Sequence, residues 1–219
     1  MRLHFGPVPE NPDFHPQEDG WTPLREPSAG VFVLLASGVG IVVGVLVAML
    51  WAATVESGII LQLKFNSRDV STAIPIAIAI AMVLGAIALL IAVHELLHAA
   101  VYPGGWLSRR TIIGMWLSKG LFYAHYDGSL SRNRFVLTLL TPFLVLTLGI
   151  WLAEVVLRTG WGPLPAWSVL NAMFAGGDIL ATGMVVWQLP SRAEVRNQGW
   201  NTWWRLPGGD DTSSPSGGT

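Results

Sequence analysis

The stretch His94-Glu95-Leu96-Leu97-His98 carries two imidazoles and a carboxylate at a spacing suited to metal-assisted hydrolysis. Residues four apart on a helix share a face, so both rings can be directed at one cation. Glu95 lies beside His94 and can reach a water held by that cation. Zn²⁺ accepts imidazole nitrogen and carboxylate oxygen, and catalytic zinc sites keep one position open. It brings the pKa of its water to about 7. Glu95 can then take a proton during attack on a carbonyl and return it to a leaving amine. The plainer alternative is a pair of hydrogen-bonded polar groups at a helix end. Two of only five histidines fall in this motif, which favours the metal. So does the high cost of Glu and His deep in an apolar chain, where such residues tend to mark function.

A third ligand must come from elsewhere. Asp178, in FAGGDILATG, is the acidic residue well inside the last apolar segment. A buried carboxylate without a partner is very unfavourable, and a cation removes that cost. Glu154 is the rival, near the far end of the preceding segment. His125, in FYAHYDG, is open to three readings: metal ligand, stabiliser of a tetrahedral intermediate, or solvent-facing residue. Asn171 lies two turns before Asp178 and can either hydrogen-bond a substrate backbone or tie two helices together. Pro142, in LLTPFLVLTLG, cannot donate a backbone hydrogen bond, so it frees a carbonyl and shapes its helix.

The elements that must position these residues are apolar. The chain has 219 residues, of which 52% are hydrophobic and 12% charged. Soluble domains carry about 25% charged residues. Four segments read as membrane helices: roughly 29–55, 73–100, 135–156 and 164–189. Crossing takes about 20 apolar residues, and the first two runs exceed that without interruption. A soluble helical bundle would have to bury both, so it is disfavoured. Gly38, Gly40 and Gly44 give the first span spacings that permit close helix contact. The fourth span is interrupted by Asn171, Gly176, Gly177 and Asp178. The expected fold is all-α: a polytopic membrane protein of about four transmembrane helices, with the motif near the cytoplasmic end of the second.

Basic residues set the expected orientation. Arg109, Arg110, Lys119, Arg132 and Arg134 lie between spans two and three. Arg192, Arg196 and Arg205 follow span four, and Arg2 and Arg25 precede span one. Only Lys64, Arg68 and Arg158 fall on the other side. The positive-inside rule therefore places both termini and the 101–134 loop in the cytoplasm. Residues 1–28 are expected to be an irregular cytoplasmic segment, 29–190 the membrane-embedded domain, and 191–219 a partly disordered tail. Within the loop, RTIIGMWL and GLFYAHY suggest a small hairpin or an interfacial segment, and DGSLSR a turn followed by a helix start. The net charge of −1 gives no sign of a nucleic-acid partner. The chain has no cysteine, which excludes disulfides, thiolate metal sites and cysteine nucleophiles.

Taken together, HELLH, TPFLVLTLG and GGDILATG resemble a family of small membrane proteins, the domain of unknown function 3267, classed as zincin peptidases. The resemblance covers roughly residues 85 to 190. That family is in turn similar to the site-2 proteases, which cut helices inside the bilayer. In those enzymes two histidines and a distant aspartate hold zinc, and the glutamate is catalytic. The resemblance thus implies His94, His98 and Asp178 as zinc ligands and Glu95 as base. The site-2 pattern reads Asp-Gly where this chain has Gly177-Asp178, so the Asp178 assignment follows its own family. The leading expectation is a zinc-dependent membrane peptidase surrounded by lipid and acting on a peptide or membrane protein. The alternatives are a hydrolase of small or lipidated substrates and a non-proteolytic metal-binding protein with a structural or regulatory role. A metal transporter fits poorly, because the spans are nearly bare of polar groups away from 94–98 and 171–178.

Overall fold

A computed structural model describes residues 1–55 and 73–208. Lys64 and Arg68, which bear on the orientation, and residues 209–219 of the expected tail lie outside these residues. The long apolar runs form the expected helices: α1 (Ala29–Thr54), α2 (Ala73–Val101), and α3 (Arg132–Pro142), which continues through a π-helical stretch at Phe143–Gly149 into α4 (Ile150–Leu157). Each of these three rods is long and apolar enough to cross a membrane. The fourth segment is two helices, α5 (Pro163–Phe174) and α6 (Gly176–Gln188), bent by 45° at Ala175 and together long enough for one broken span.

The all-α expectation is corrected. Among the described residues, seven short strands form two sheets beside the helices. β1 (Arg2–Phe5) pairs in parallel with β3 (Thr111–Trp116), which pairs antiparallel with β4 (Leu121–Tyr126). The second sheet runs β2 (Thr22–Pro23), β7 (Asn201–Arg205), β6 (Glu194–Gln198), β5 (Leu130–Ser131). Residues 1–28 thus contribute two strands where an irregular segment was expected, and 194–205 form a hairpin where a tail was expected. The two-residue strands are too short for the period-two pattern that identifies a strand in sequence, and β1 alternates over only four residues, the shortest length at which that pattern is read. The 101–134 hairpin and the Ser131 cap agree with expectation: the Ser131 hydroxyl accepts from the Arg134 N–H at the start of α3.

The pairings have a topological consequence. β1–β3 ties the N-terminal segment to the loop after α2. β5–β6 ties the start of α3 to the chain after α6, and β2–β7 closes the set. The N-terminal segment, the 101–134 loop and the 190–208 segment therefore sit at one end of the helices. Side chains reinforce this link: Asp127 accepts from Asn11 at 2.8 Å and from Arg196 at 3.2 Å.

Close approach between α1 and the α5–α6 bend positions Asp178. A methyl group at Gly40 would strike the Met173 carbonyl, and one at Gly176 would strike the Ala36 carbonyl. Small residues let helix backbones meet where no hydrophobic force drives helices together in lipid. Of the three glycines noted in sequence, Gly40 and Gly44 lie at this contact, while Gly38 faces open space. A buried polar ladder fastens the other side of α5. Trp51 Nε1 donates to Ser168 Oγ at 2.9 Å, which donates to the Thr147 carbonyl at 3.1 Å.

Candidate metal centre

α2 carries the motif in its last two turns, and the fold brings Asp178 to it. His94 Nε2 lies 3.0 Å from Asp178 Oδ2, and His98 Nε2 lies 3.4 Å from the same oxygen. One ligand atom from each residue falls within a 4.8 Å cluster, and both histidines are buried. Asp178 sits in the first turn of α6, where a helix N-terminus favours negative charge.

The other face of each ring is already committed. His98 Nδ1 is 2.8 Å from the Thr138 carbonyl, which can only accept, so Nδ1 carries the proton. That carbonyl is available because Pro142, four residues on, has no N–H to give it. His94 Nδ1 is 2.9 Å from Asn171 Oδ1. The Asn171 amide nitrogen donates to the Pro142 carbonyl and to Thr147 Oγ1, both at 3.0 Å. A carbonyl cannot donate, so the amide orientation is fixed and His94 must donate through Nδ1. Nε2 of each ring then faces the Asp178 carboxylate. These three atoms repel one another unless a proton or a metal cation lies among them. Two imidazole nitrogens and one carboxylate oxygen fit zinc, and the outer ring N–H groups donate to carbonyl oxygens of the kind that orient zinc-bound histidines.

Glu95 stands outside the ligand cluster. Its carboxyl group is hydrogen-bonded by the backbone of Ala124 on β4. The Ala124 carbonyl accepts from the Tyr102 hydroxyl at 3.0 Å. A cavity of about 210 Å³ borders β4 here, lined in part by Ala124, Phe135, Leu139, Ala181 and Trp200.

The remaining sequence candidates are not among the clustered ligand atoms. Asn171 is fully buried with its three hydrogen bonds directed inward, so it ties α5 to α2 and to the π-helical stretch. Glu154 accepts from the Gly160 N–H at 2.8 Å and from the Thr159 hydroxyl, and it is not among the clustered ligands. His125 is buried in β4, in register with Ile112 and Arg2, on the sheet face opposite to Ala124. Burial pushes its pKa down to about 4, with Asp127 pulling the other way, so the ring is neutral at pH 7. The structure does not bring His125 to the metal cluster. Sequence reading missed the roles of the Thr138 carbonyl, Thr147 and Ala124. Only the first left a signal, a proline four residues downstream.

This geometry yields a prediction for Pro142→Ala. The new N–H competes for the Thr138 carbonyl and loosens His98. Zinc affinity, measured by competition with a chelator, is expected to fall about tenfold. An internal proline costs a helix about 3 kcal/mol, so the metal-free variant should unfold at the same or a higher temperature. Unchanged zinc affinity would remove the positioning role of that carbonyl.

No curated protein and no solved structure matches the chain. A family model with the description "Putative zincin peptidase" matches residues 87–193. The matched segment contains the whole of HELLH, Thr138, Pro142, Asn171 and Asp178. Residues 87–193 of this chain therefore match the model of that family, the domain of unknown function 3267.

Proposed function

We propose that this protein is a zinc-dependent peptidase embedded in the membrane, with Glu95 as its general base. The observation that carries this reading is the convergence of His94 Nε2, His98 Nε2 and Asp178 while both Nδ1 positions are committed elsewhere. A zinc ion on these three ligands supplies Lewis acidity toward a water and toward a peptide carbonyl. Glu95 takes the proton of the attacking water as its oxygen bonds to the carbonyl carbon. It delivers that proton to the amide nitrogen as the C–N bond breaks, leaving a carboxylate and an amine. His94 and His98 stay oriented throughout by Asn171 and the Thr138 carbonyl. Ala124 and Tyr102 hold β4 against the catalytic turn.

The orientation follows the same reasoning. The sheets gather both described ends of the chain and the basic 101–134 loop on one side, and we assign that side to the cytoplasm by its Arg content. The centre, in the last two turns of α2, then lies shallow on that side, where water can reach it. A substrate helix must unwind locally before its carbonyl is exposed.

The test uses purified protein in detergent or bilayer with a library of unstructured and membrane-spanning peptides. Cleavage is expected with zinc, lost on chelation and regained on adding zinc back. A protein that holds zinc tightly yet cuts no peptide, with water unable to exchange at the metal, would instead indicate a structural site and overturn the peptidase reading.

A further inference from the structure

The sheet β1–β3–β4 has two unlike faces. Side chains alternate along a strand, and paired residues share a face. The register puts Leu3, Ile113 and Ala124 in one row, and Phe5, Met115 and Phe122 in the next. All six are apolar. The opposite face carries Arg2, Ile112 and His125 in one row and His4, Gly114 and Tyr123 in the next, with Ile112, Tyr123 and His125 buried. On the apolar face, Ile113 and Ala124 pack against Ala99 and Tyr102 at the end of α2. The rest of that face is open: Leu3 is 71% exposed and Phe5 72% exposed. Leu117, just beyond β3, is also exposed. Contiguous apolar surface of this kind marks an interaction site.

Three observations say what covers it. First, the face continues directly from the last turns of a membrane-length helix, whose own flank is apolar and exposed at Leu84 and Leu89. Second, exposed Trp106 and Leu107 lie between that helix and β3, and Trp106 accepts the chain's N-terminal ammonium on its carbonyl at 3.0 Å. Tryptophan at such a junction is characteristic of a membrane–water boundary. Third, Arg109 and Arg110 are exposed at the start of the hairpin, where cationic side chains meet lipid phosphates.

We propose that the apolar face of this sheet lies on the bilayer, in the boundary between headgroups and acyl chains, with the opposite face, which Gly6 and Pro7 cover at Tyr123, turned away from lipid. Because Ala124 also hydrogen-bonds Glu95, the same contact holds the catalytic turn at a fixed depth in the membrane surface. The lipid contact itself does not depend on the peptidase reading.

The chain has no cysteine, so single-cysteine variants report cleanly. Phe5→Cys, Phe122→Cys and His4→Cys are each labelled with the environment-sensitive dye NBD. The proteins are reconstituted into phosphatidylcholine–phosphatidylglycerol vesicles, with or without lipid bearing a nitroxide high in its acyl chain. Nitroxide quenching at positions 5 and 122 is expected to exceed that at position 4 by about threefold, and aqueous iodide should quench position 4 most. Equal iodide quenching at positions 4 and 5, with no lipid quenching, would place the face in water. Protection from iodide without lipid quenching would mean that protein covers it. Either result overturns the proposal. Leu3→Cys serves as a second reporter on the same face if Phe5→Cys fails to fold.

Discussion

Glu95→Gln is expected to keep its zinc and to lose peptide hydrolysis by about 10²- to 10⁴-fold. The substitution is isosteric and removes only the ability to accept a proton. Glu95 lies outside the cluster formed by His94, His98 and Asp178, so metal content should match the wild type. The contact with the Ala124 backbone survives, because a carboxamide oxygen also accepts from an N–H. Metal content is read by elemental analysis of purified protein, and turnover with a peptide that the wild type cuts. The two readouts separate the possibilities. Loss of zinc would make Glu95 a ligand and break the three-residue assignment. Full activity with zinc bound would leave the reaction without its base.

Much of this centre is legible in the sequence because its chemistry is local. A helix brings residues four apart onto one face, so HELLH alone fixes the relation of His94, Glu95 and His98. Asp178 was reachable by a different route, the cost of an unpaired carboxylate in an apolar segment. Its partnership with the histidines depends on where α6 sits, and Gly40 and Gly176 help to set that through the close approach of α1 to the α5–α6 bend. Glycine spacing announces that helices can approach, not which ones do. The strands were largely illegible for a further reason. β1 and β2 acquire their conformation from distant partners, β3 and β7, and carry too few residues for a pattern of their own.

Pro142 shows how a local defect becomes a functional part. A proline inside a membrane helix leaves a carbonyl unsatisfied, and such groups must find partners in protein because lipid offers none. Here the Thr138 carbonyl finds His98, and the Pro142 carbonyl finds Asn171, which holds His94. Carbonyls at the proline and at the start of the π-helical stretch that follows it therefore orient both imidazoles. Asn171, Thr147, Ser168 and Trp51 continue the chain of hydrogen bonds across to α1. These polar residues interrupt otherwise apolar helices, and each is satisfied inside the protein.

Asp178→Ala is expected to weaken zinc binding by more than about 100-fold, beyond the effect of losing an outer hydrogen-bond partner. Two imidazoles would remain, both presented through Nε2, without the charge that offsets the cation's transfer from water. Zinc should therefore copurify with the wild type and be absent from the variant, as it should be from His94→Ala. Thermal unfolding gives an independent readout. Free zinc at roughly 100 times Kd stabilises a protein that binds it only when folded by about 2.7 kcal/mol. The wild type should show that rise in melting temperature and Asp178→Ala should not. Without added metal that zinc-dependent difference should vanish. Glu154→Ala is the matched control: it removes a carboxylate held by Thr159 and Gly160 and should leave zinc affinity unchanged. If Glu154→Ala lost the metal and Asp178→Ala retained it, the third ligand would lie at the opposite end of the span, and the centre described here would not be the site.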